Sequence, residues 1–209
     1  MARSNLQNSR TGANLAQATR LMADGKTARA ERILRKLLKS DPGNAEALHL
    51  AGVARHRVGK PGQAADLVEK AIRAEPRDAR FHRTLGDILH AGGRDERAAE
   101  CYRAVTALDP GDADTHAALA GALMGLDRID ETLESYRAAL RIEPGDITAL
   151  FDHGNAFAPP AGTTRRWPPI ARCWRYNPIM YPSIAILADC CAIWAGWTNP
   201  SRYCKTARG

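Results

Sequence analysis

The sequence predicts an all-α fold, a solenoid of stacked helix–turn–helix repeats followed by an irregular C-terminal tail. Three observations predict it. Acid–proline pairs recur at Asp41-Pro42, Glu75-Pro76, Asp109-Pro110 and Glu143-Pro144, each 34 residues after the last, and a fixed period of that size marks a repeat array. Between successive pairs lie two apolar patterns of helical spacing, separated by a turn. Small residues also recur at fixed places in the period, where two helices could cross closely.

Units that end two residues after each proline run 11–44, 45–78, 79–112 and 113–146, and 147–157 is the first helix of a truncated fifth. The stretch 1–10, rich in Asn, Ser and Arg, has no apolar run and so is no secretory signal; it is expected to be a flexible leader. In the first unit Leu15, Ala18, Leu21 and Met22 form one stripe, Asp24-Gly25 the turn, and Ala30, Ile33, Leu34 and Leu37 the second stripe. The second unit runs Ala47, Leu48, Ala51, Ala54, then Gly59-Lys60-Pro61-Gly62, then Ala64, Leu67, Val68, Ala71, Ile72. In the third, Leu85, Ile88 and Leu89 precede Gly92-Gly93, with Ala98, Cys101, Tyr102 and Val105 beyond. The fourth has Ala118, Leu119, Ala122 and Leu123, then Asp127-Arg128, then Ile129, Leu133, Tyr136, Ala139 and Leu140. The fifth opens with Ile147, Leu150, Phe151 and Phe157 and goes no further.

Equivalent positions explain why the units stack. Position eight reads Ala18, Gly52, Gly86, Ala120 and Gly154; position twenty reads Ala30, Ala64, Ala98 and Thr132. Position twenty-four supplies the bulk that fills the groove beside that contact: Leu34, Val68, Tyr102, Tyr136. Proline at position thirty-two cannot continue a helix, and it biases the acid before it away from helical dihedrals. This register resembles the tetratricopeptide repeat family over about residues 11–157. The departures are mild: the position-four aromatic is Asn14, Leu48, His82 and His116 here, and Thr132 stands for an alanine. The resemblance implies a right-handed α-solenoid whose concave face, built mainly from first helices, holds a peptide or partner protein.

Charge divides the chain. Residues 1–157 hold 23 Lys/Arg and 22 Asp/Glu, against 7 and 1 in residues 158–209, so the net charge of +7 sits almost wholly in the tail. That distribution does not point to nucleic-acid binding. All four tryptophans, four of the five cysteines and seven of the twelve prolines also follow residue 158. Cys101 alone lies in the repeats, which suits a reducing cytoplasm rather than a disulfide framework.

The tail 158–209 reads in two ways, as a disordered basic tail or as a frameshifted continuation of the repeats. The genetic code tests the second. If each codon takes the last base of one residue and the first two of the next, Trp167-Pro168 forces alanine, Met180-Tyr181 valine, Trp194-Ala195 glycine and Trp197-Thr198 aspartate. Over Ala161 to Trp167 the code permits Gly-Arg-His-Asp-Glu-Ala-Leu. Over Tyr176 to Pro182 it permits Leu-Gln-Pro-Asp-Tyr-Val-Pro, and over Ile193 to Asn199 His-Leu-Gly-Arg-Leu-Asp-Glu. The register survives, with an alanine in place of Arg166 at position twenty and the proline at Pro178, position thirty-two. An interrupted solenoid lacks the polar cap that such arrays need, so self-association through the uncapped C-terminal end is expected.

Other candidate chemistry resolves into the repeat. His82 and His116 are repeat equivalents, as are His56 and His90, so they recur along the stack instead of converging on one ion; no metal and no cofactor are expected. Cys101 aligns with Ile33, Leu67 and Ser135 and reads as a core thiol. The apolar stretch Ser183 to Trp197 is too short to span a bilayer. No phosphate loop or nucleophile–base arrangement appears, so the chain is expected not to be an enzyme.

The groove remains. The concave positions that the resemblance implies are two, five, nine and twelve of each first helix: Glu46, His49, Val53, His56, then Arg80, Arg83, Asp87, His90, then Asp114, Ala117, Gly121, Met124, with Arg57 beside the first set. The candidate groove residues are His49, His56, Arg57, Arg80, Arg83, Asp87 and His90. Their basic centre favours an acidic peptide; the same residues also read as a solvated mixed-charge face. The two-carboxylate clamp of some relatives needs Lys and Asn where this chain has Leu15, Thr19, His49 and Val53. The asparagine ladder of O-linked N-acetylglucosamine transferases is missing too, since position six reads Ala16, Leu50, Thr84, Ala118 and Asp152. The leading expectation is a non-catalytic, cytoplasmic scaffold that binds a protein segment, with no nucleic acid and no membrane as partner. The alternative is the N-terminal recognition arm of a larger glycosyltransferase or methyltransferase.

Overall fold

The computed structural model describes residues 2–156, with side chains from Ser9 onward except Asn155. Phe157, the tail 158–209 and the shifted-frame reading lie outside the described residues. Within them every regular element is a helix: α1 (Ala2–Ala23), α2 (Thr27–Ser40), α3 (Ala45–Arg57), α4 (Pro61–Ala74), α5 (Ala79–Ala91), α6 (Asp95–Leu108), α7 (Ala113–Gly125), α8 (Ile129–Ile142) and α9 (Ile147–Ala156).

The acid–proline pairs act as the stops that their chemistry dictates. Asp41, Glu75, Asp109 and Glu143 end α2, α4, α6 and α8 with non-helical dihedrals, for example φ −134° and ψ 83° at Glu75. The following first helix is then opened by a side-chain cap two residues beyond the proline. Asn44 accepts from the Ala47 amide, Asp78 from Arg80, Asp112 from Thr115 and Asp146 from Thr148 and Ala149, which satisfies amides that the helix leaves unpaired.

Second helices begin differently. None of α2, α4, α6 and α8 has a side-chain cap; each is entered through a residue of left-handed backbone, at Gly25, Gly59 and Gly93 (φ 74°, 75° and 68°) and at Asp127 (φ 58°). Glycine adopts that conformation without steric cost, whereas Asp127 is one of the few residue types that tolerate it.

Each helix packs on the next in chain order, and α1, α3, α5 and α7 also touch one another in series. The direct contacts between first helices bring them into one inner row. In the core, position eight meets position twenty-four: a Cβ at Gly52 would lie 2.5 Å from Val68 Cγ2, and one at Gly86 2.6 Å from Tyr102 Cε1. Phe81, Tyr102, Leu89, Val68 and Leu34 are buried around these crossings.

α1 begins at Ala2, so the described backbone is helical through 2–10 as well. No proline or glycine stands between Ala2 and Thr11 to stop it.

Candidate functional site

The inner row places the candidate residues on α3 and α5, where repeats meet. His49 and Thr84, one repeat apart on facing helices, share a hydrogen bond of 2.9 Å at His49 Nε2, and the His49 ring lies 4.9 Å from Phe81. Burial, only partly offset by Glu46, lowers the His49 pKa and so favours the neutral ring. Its Nδ1, like that of His56, is buried without a hydrogen-bond partner.

Arg80 and Arg83 lie three residues apart on α5, and each stands between two carboxylates. Arg80 Nη2 pairs with Asp78 at 2.7 Å and with Glu46 at 3.0 Å, its guanidinium 5.4 Å above the Phe81 ring. Arg83 Nη1 pairs with Asp112 at 2.8 Å and Nη2 with Asp114 at 3.3 Å. Neither is a free cation, which changes the basic groove expected from the sequence. Hydrogen bonds from Arg80 hold the Asp78 carboxyl below its ordinary range. Burial opposes the charge on Asp112, but hydrogen bonds from Thr115, joined by Arg83, pull its pKa down.

Asp87, His90 and Arg57 are likewise engaged. Asp87 accepts a 2.8 Å bond from the Tyr102 hydroxyl, whose pKa is raised by burial and then by that carboxylate. His90 Nδ1 lies 2.6 Å from Asp95, and Arg57 donates to the Met22 carbonyl at 2.7 Å. Six of the seven residues therefore take part in hydrogen bonds or ion pairs, and the seventh, His56, has its Nδ1 buried without a hydrogen-bond partner. Sequence reasoning missed the two capping acids, Asp78 and Asp112, that hold the arginines. Their signal was present: Asn44, Asp78, Asp112 and Asp146 occupy position thirty-four of successive units.

Beyond Arg83 the row opens into a cleft of about 770 Å³ lined by Asp114, Ala117, Glu143, Asp146, Ile147 and Thr148 among others. His82 and His116 serve the turns, each ring nitrogen bonded to a proline carbonyl, at Pro76 and Pro110. Among the described residues no three His, Cys, Asp or Glu groups are placed to hold a metal ion, and no helix is long and apolar enough to cross a membrane. The Cys101 thiol is pushed up to about 11 by burial, as suits a packed thiol.

A comparison with curated proteins gives no match. Among solved structures the chain is similar to MamA (25% identity, TM-score 0.64, covering 67% of this chain and 82% of that one). It is also similar to YrrB, described as a TPR protein with an unusual peptide-binding site (23% identity, TM-score 0.63, 69% and 74%). The O-GlcNAc transferase of Thermobaculum terrenum shares 29% identity over 64% of this chain and 26% of its own, with a TM-score of 0.59. Two models described as tetratricopeptide repeat match, one over residues 21–83 and the other over 54–113 and 96–147. Together they cover residues 21–147, which hold α2 to α8 and all four proline stops, so the chain belongs to the tetratricopeptide repeat family, with its right-handed α-solenoid fold.

Proposed function

We propose that the chain is a protein-interaction scaffold that holds a peptide or partner segment along the inner row, with a carboxylate of that segment exchanged onto Arg80 or Arg83. The observation that carries this reading is the asymmetry of the two arginine sites. Each has one short contact to a capping acid (Asp78, Asp112) and one longer contact to a groove acid (Glu46, Asp114). The Asp114 side chain is 73% exposed, and pairs of this kind are worth about 0–1 kcal/mol. A ligand carboxylate can displace the looser partner while the cap stays in place. The family's role as a generally non-catalytic scaffold and the peptide site of YrrB support the coarser part of the reading. A cytoplasmic location belongs to the same reading, supported by the free Cys101 thiol.

The test is capture of an acidic peptide by the full chain and by the Arg80→Gln/Arg83→Gln double variant. Glutamine is preferred to glutamate because a new carboxylate at 83 would face Asp112 and Asp114. The reading requires at least a ten-fold loss of affinity with the helical signal unchanged; equal capture by both chains removes the exchange mechanism.

A second reading has its own support. The likeness to the O-GlcNAc transferase covers a quarter of that enzyme's length, which fits a recognition arm that precedes a catalytic domain in glycosyltransferase- or methyltransferase-type enzymes. Reading the gene downstream, with one base restored near codon 158, separates the two. A stop soon after a capping helix supports the scaffold, and a long α/β-patterned frame supports the arm.

A further inference from the structure

In the second and third units the glycine at position eight lies under the side chain at position twenty-four of its own second helix. Val68 crowds Gly52 and Tyr102 crowds Gly86 so closely that a Cβ would collide with either. In the fourth unit Ala120 and Tyr136 lie in one buried cluster. Gly154 is the fifth equivalent, and among the described residues nothing lies within 4 Å of a Cβ built on it. Among the described residues the neighbouring surface is also open: Ile147, at position one, is 71% exposed where Ala45 and Ala113 at the same position are buried. α9 therefore carries a seat with the chemistry of a helix–helix crossing: a side chain of a single hydrogen at its centre and an exposed isoleucine two turns before it on the same face.

The shifted reading of the following codons supplies the shape that such a seat requires. It permits alanine in place of Arg166, at position twenty. At position twenty-four, Pro169-Ile170 permits tyrosine, histidine, asparagine or aspartate, and tyrosine is the residue at Tyr102 and Tyr136. At position twenty-eight, Cys173-Trp174 forces leucine, because both cysteine codons end in a pyrimidine that completes a leucine codon; the equivalents are Leu38, Ile72, Thr106 and Leu140. Proline is permitted at Pro178, where each second helix must stop.

We propose that the face of α9 around Gly154 is a docking seat for an amphipathic helix bearing a small residue at position twenty and a ring at position twenty-four. The gene itself spells that helix one base out of frame over codons 161–178. The occupant is the second helix of the fifth repeat, and loss of one base before codon 161 removed it from the chain. This inference does not rest on a ligand in the groove: it concerns the face of α9 around Gly154, although Ile147 also lines the cleft.

The test uses the full chain as it stands and a synthetic peptide translated from the gene's own nucleotides over codons 161–178, read one base earlier. The nucleotides are expected to give alanine at the place of Arg166 and tyrosine or histidine at the place of Ile170. At saturation the peptide is expected to slow amide exchange in 147–156 at least ten-fold while α5 is unaffected, and Gly154→Leu is expected to abolish the effect. Isolated helices nucleate poorly, so a gene with the one base restored gives a second measurement: α9 of its product exchanges at least ten-fold more slowly than in the present chain. Nucleotides that spell neither residue overturn the proposal, and so does unchanged exchange with both peptide and restored gene. Protection of α9 by self-association that persists in Gly154→Leu assigns the seat to a second copy and overturns it equally.

Discussion

The Tyr102 ring lies directly over Gly86, so that a Cβ at residue 86 would sit 2.6 Å from Cε1 and 2.9 Å from Cδ1, while the Tyr102 hydroxyl reaches past it to Asp87 at 2.8 Å. This pairing sets how closely α5 and α6 approach. In an ordinary helix, Gly→Ala gains about 1 kcal/mol from propensity. At Gly86 the new methyl must move a fully buried ring, a strain of about 1–3 kcal/mol. Gly86→Ala is therefore expected to destabilise the array, by about 1 kcal/mol net, and Gly154→Ala to be neutral or stabilising by up to about 1 kcal/mol, because its Cβ meets open space among the described residues. Urea unfolding of both variants checks the contrast; equal shifts for the two would remove the claim that the crossing at Gly86 is steric.

Asp127 stands where three other units have Gly25, Gly59 and Gly93, and it carries φ 58°. Left-handed backbone costs an L-residue about 1–2 kcal/mol, with Asp near the low end, and glycine loses part of that advantage through the entropy of the unfolded chain. Asp127→Gly is expected to stabilise by about 0.5 kcal/mol. A lower denaturation midpoint in the variant would show that the Asp127 side chain contributes something the turn geometry does not.

Asp112 caps α7 through Thr115 and holds Arg83 of α5, the first helix of its own unit. Its folded pKa is depressed below the ordinary 3.8. A depressed carboxyl stabilises the fold above its unfolded pKa, and that contribution is lost as pH falls through the folded value. The array is thus expected to lose stability below about pH 4, with Asp78 adding to the same limb. Asp112→Ala is expected to cost about 1–2 kcal/mol near pH 7, from loss of the cap. It should also flatten the acid limb. An acid limb as steep in the variant as in the parent would assign the effect to other carboxylates.

Much of this was legible from residue spacing, because a repeat presents the same physical problem several times. The proline stops, the small residue at position eight and its bulky partner at twenty-four each follow from local sterics. The charge state of the inner row was not legible in the same way. Arg80 and Arg83 read as a basic centre because position-by-position comparison assigns side chains to a face without showing what crosses from the next unit. The acids that hold them, Asp78 and Asp112, sit in the turns and are also caps: Asp78 caps α5 and holds Arg80 of the same helix, while Asp112 caps α7 and holds Arg83 of α5. Exposed ion pairs leave no periodic apolar signature, and only the approach of α5 to α3 and α7 brings Glu46, Asp112 and Asp114 to the two arginines.

The exchange mechanism makes a prediction of opposite sign to the arginine test. If Glu46 and Asp114 are resident competitors for the guanidinium groups, removing their charge should help an acidic ligand. Glu46→Gln and Asp114→Asn together are expected to tighten binding of an acidic peptide about three- to ten-fold, equivalent to about 1 kcal/mol. Stability should change little, since the short contacts to Asp78 and Asp112 remain. The gain should shrink as salt rises, because exposed charges are screened over about 10 Å at 0.1 M. Titration calorimetry at two ionic strengths checks both points. Weaker binding in the double variant would mean that the two acids contact the ligand themselves, and the groove would then recognise a basic group at the cleft beyond Arg83, where Asp114 stands near Glu143 and Asp146.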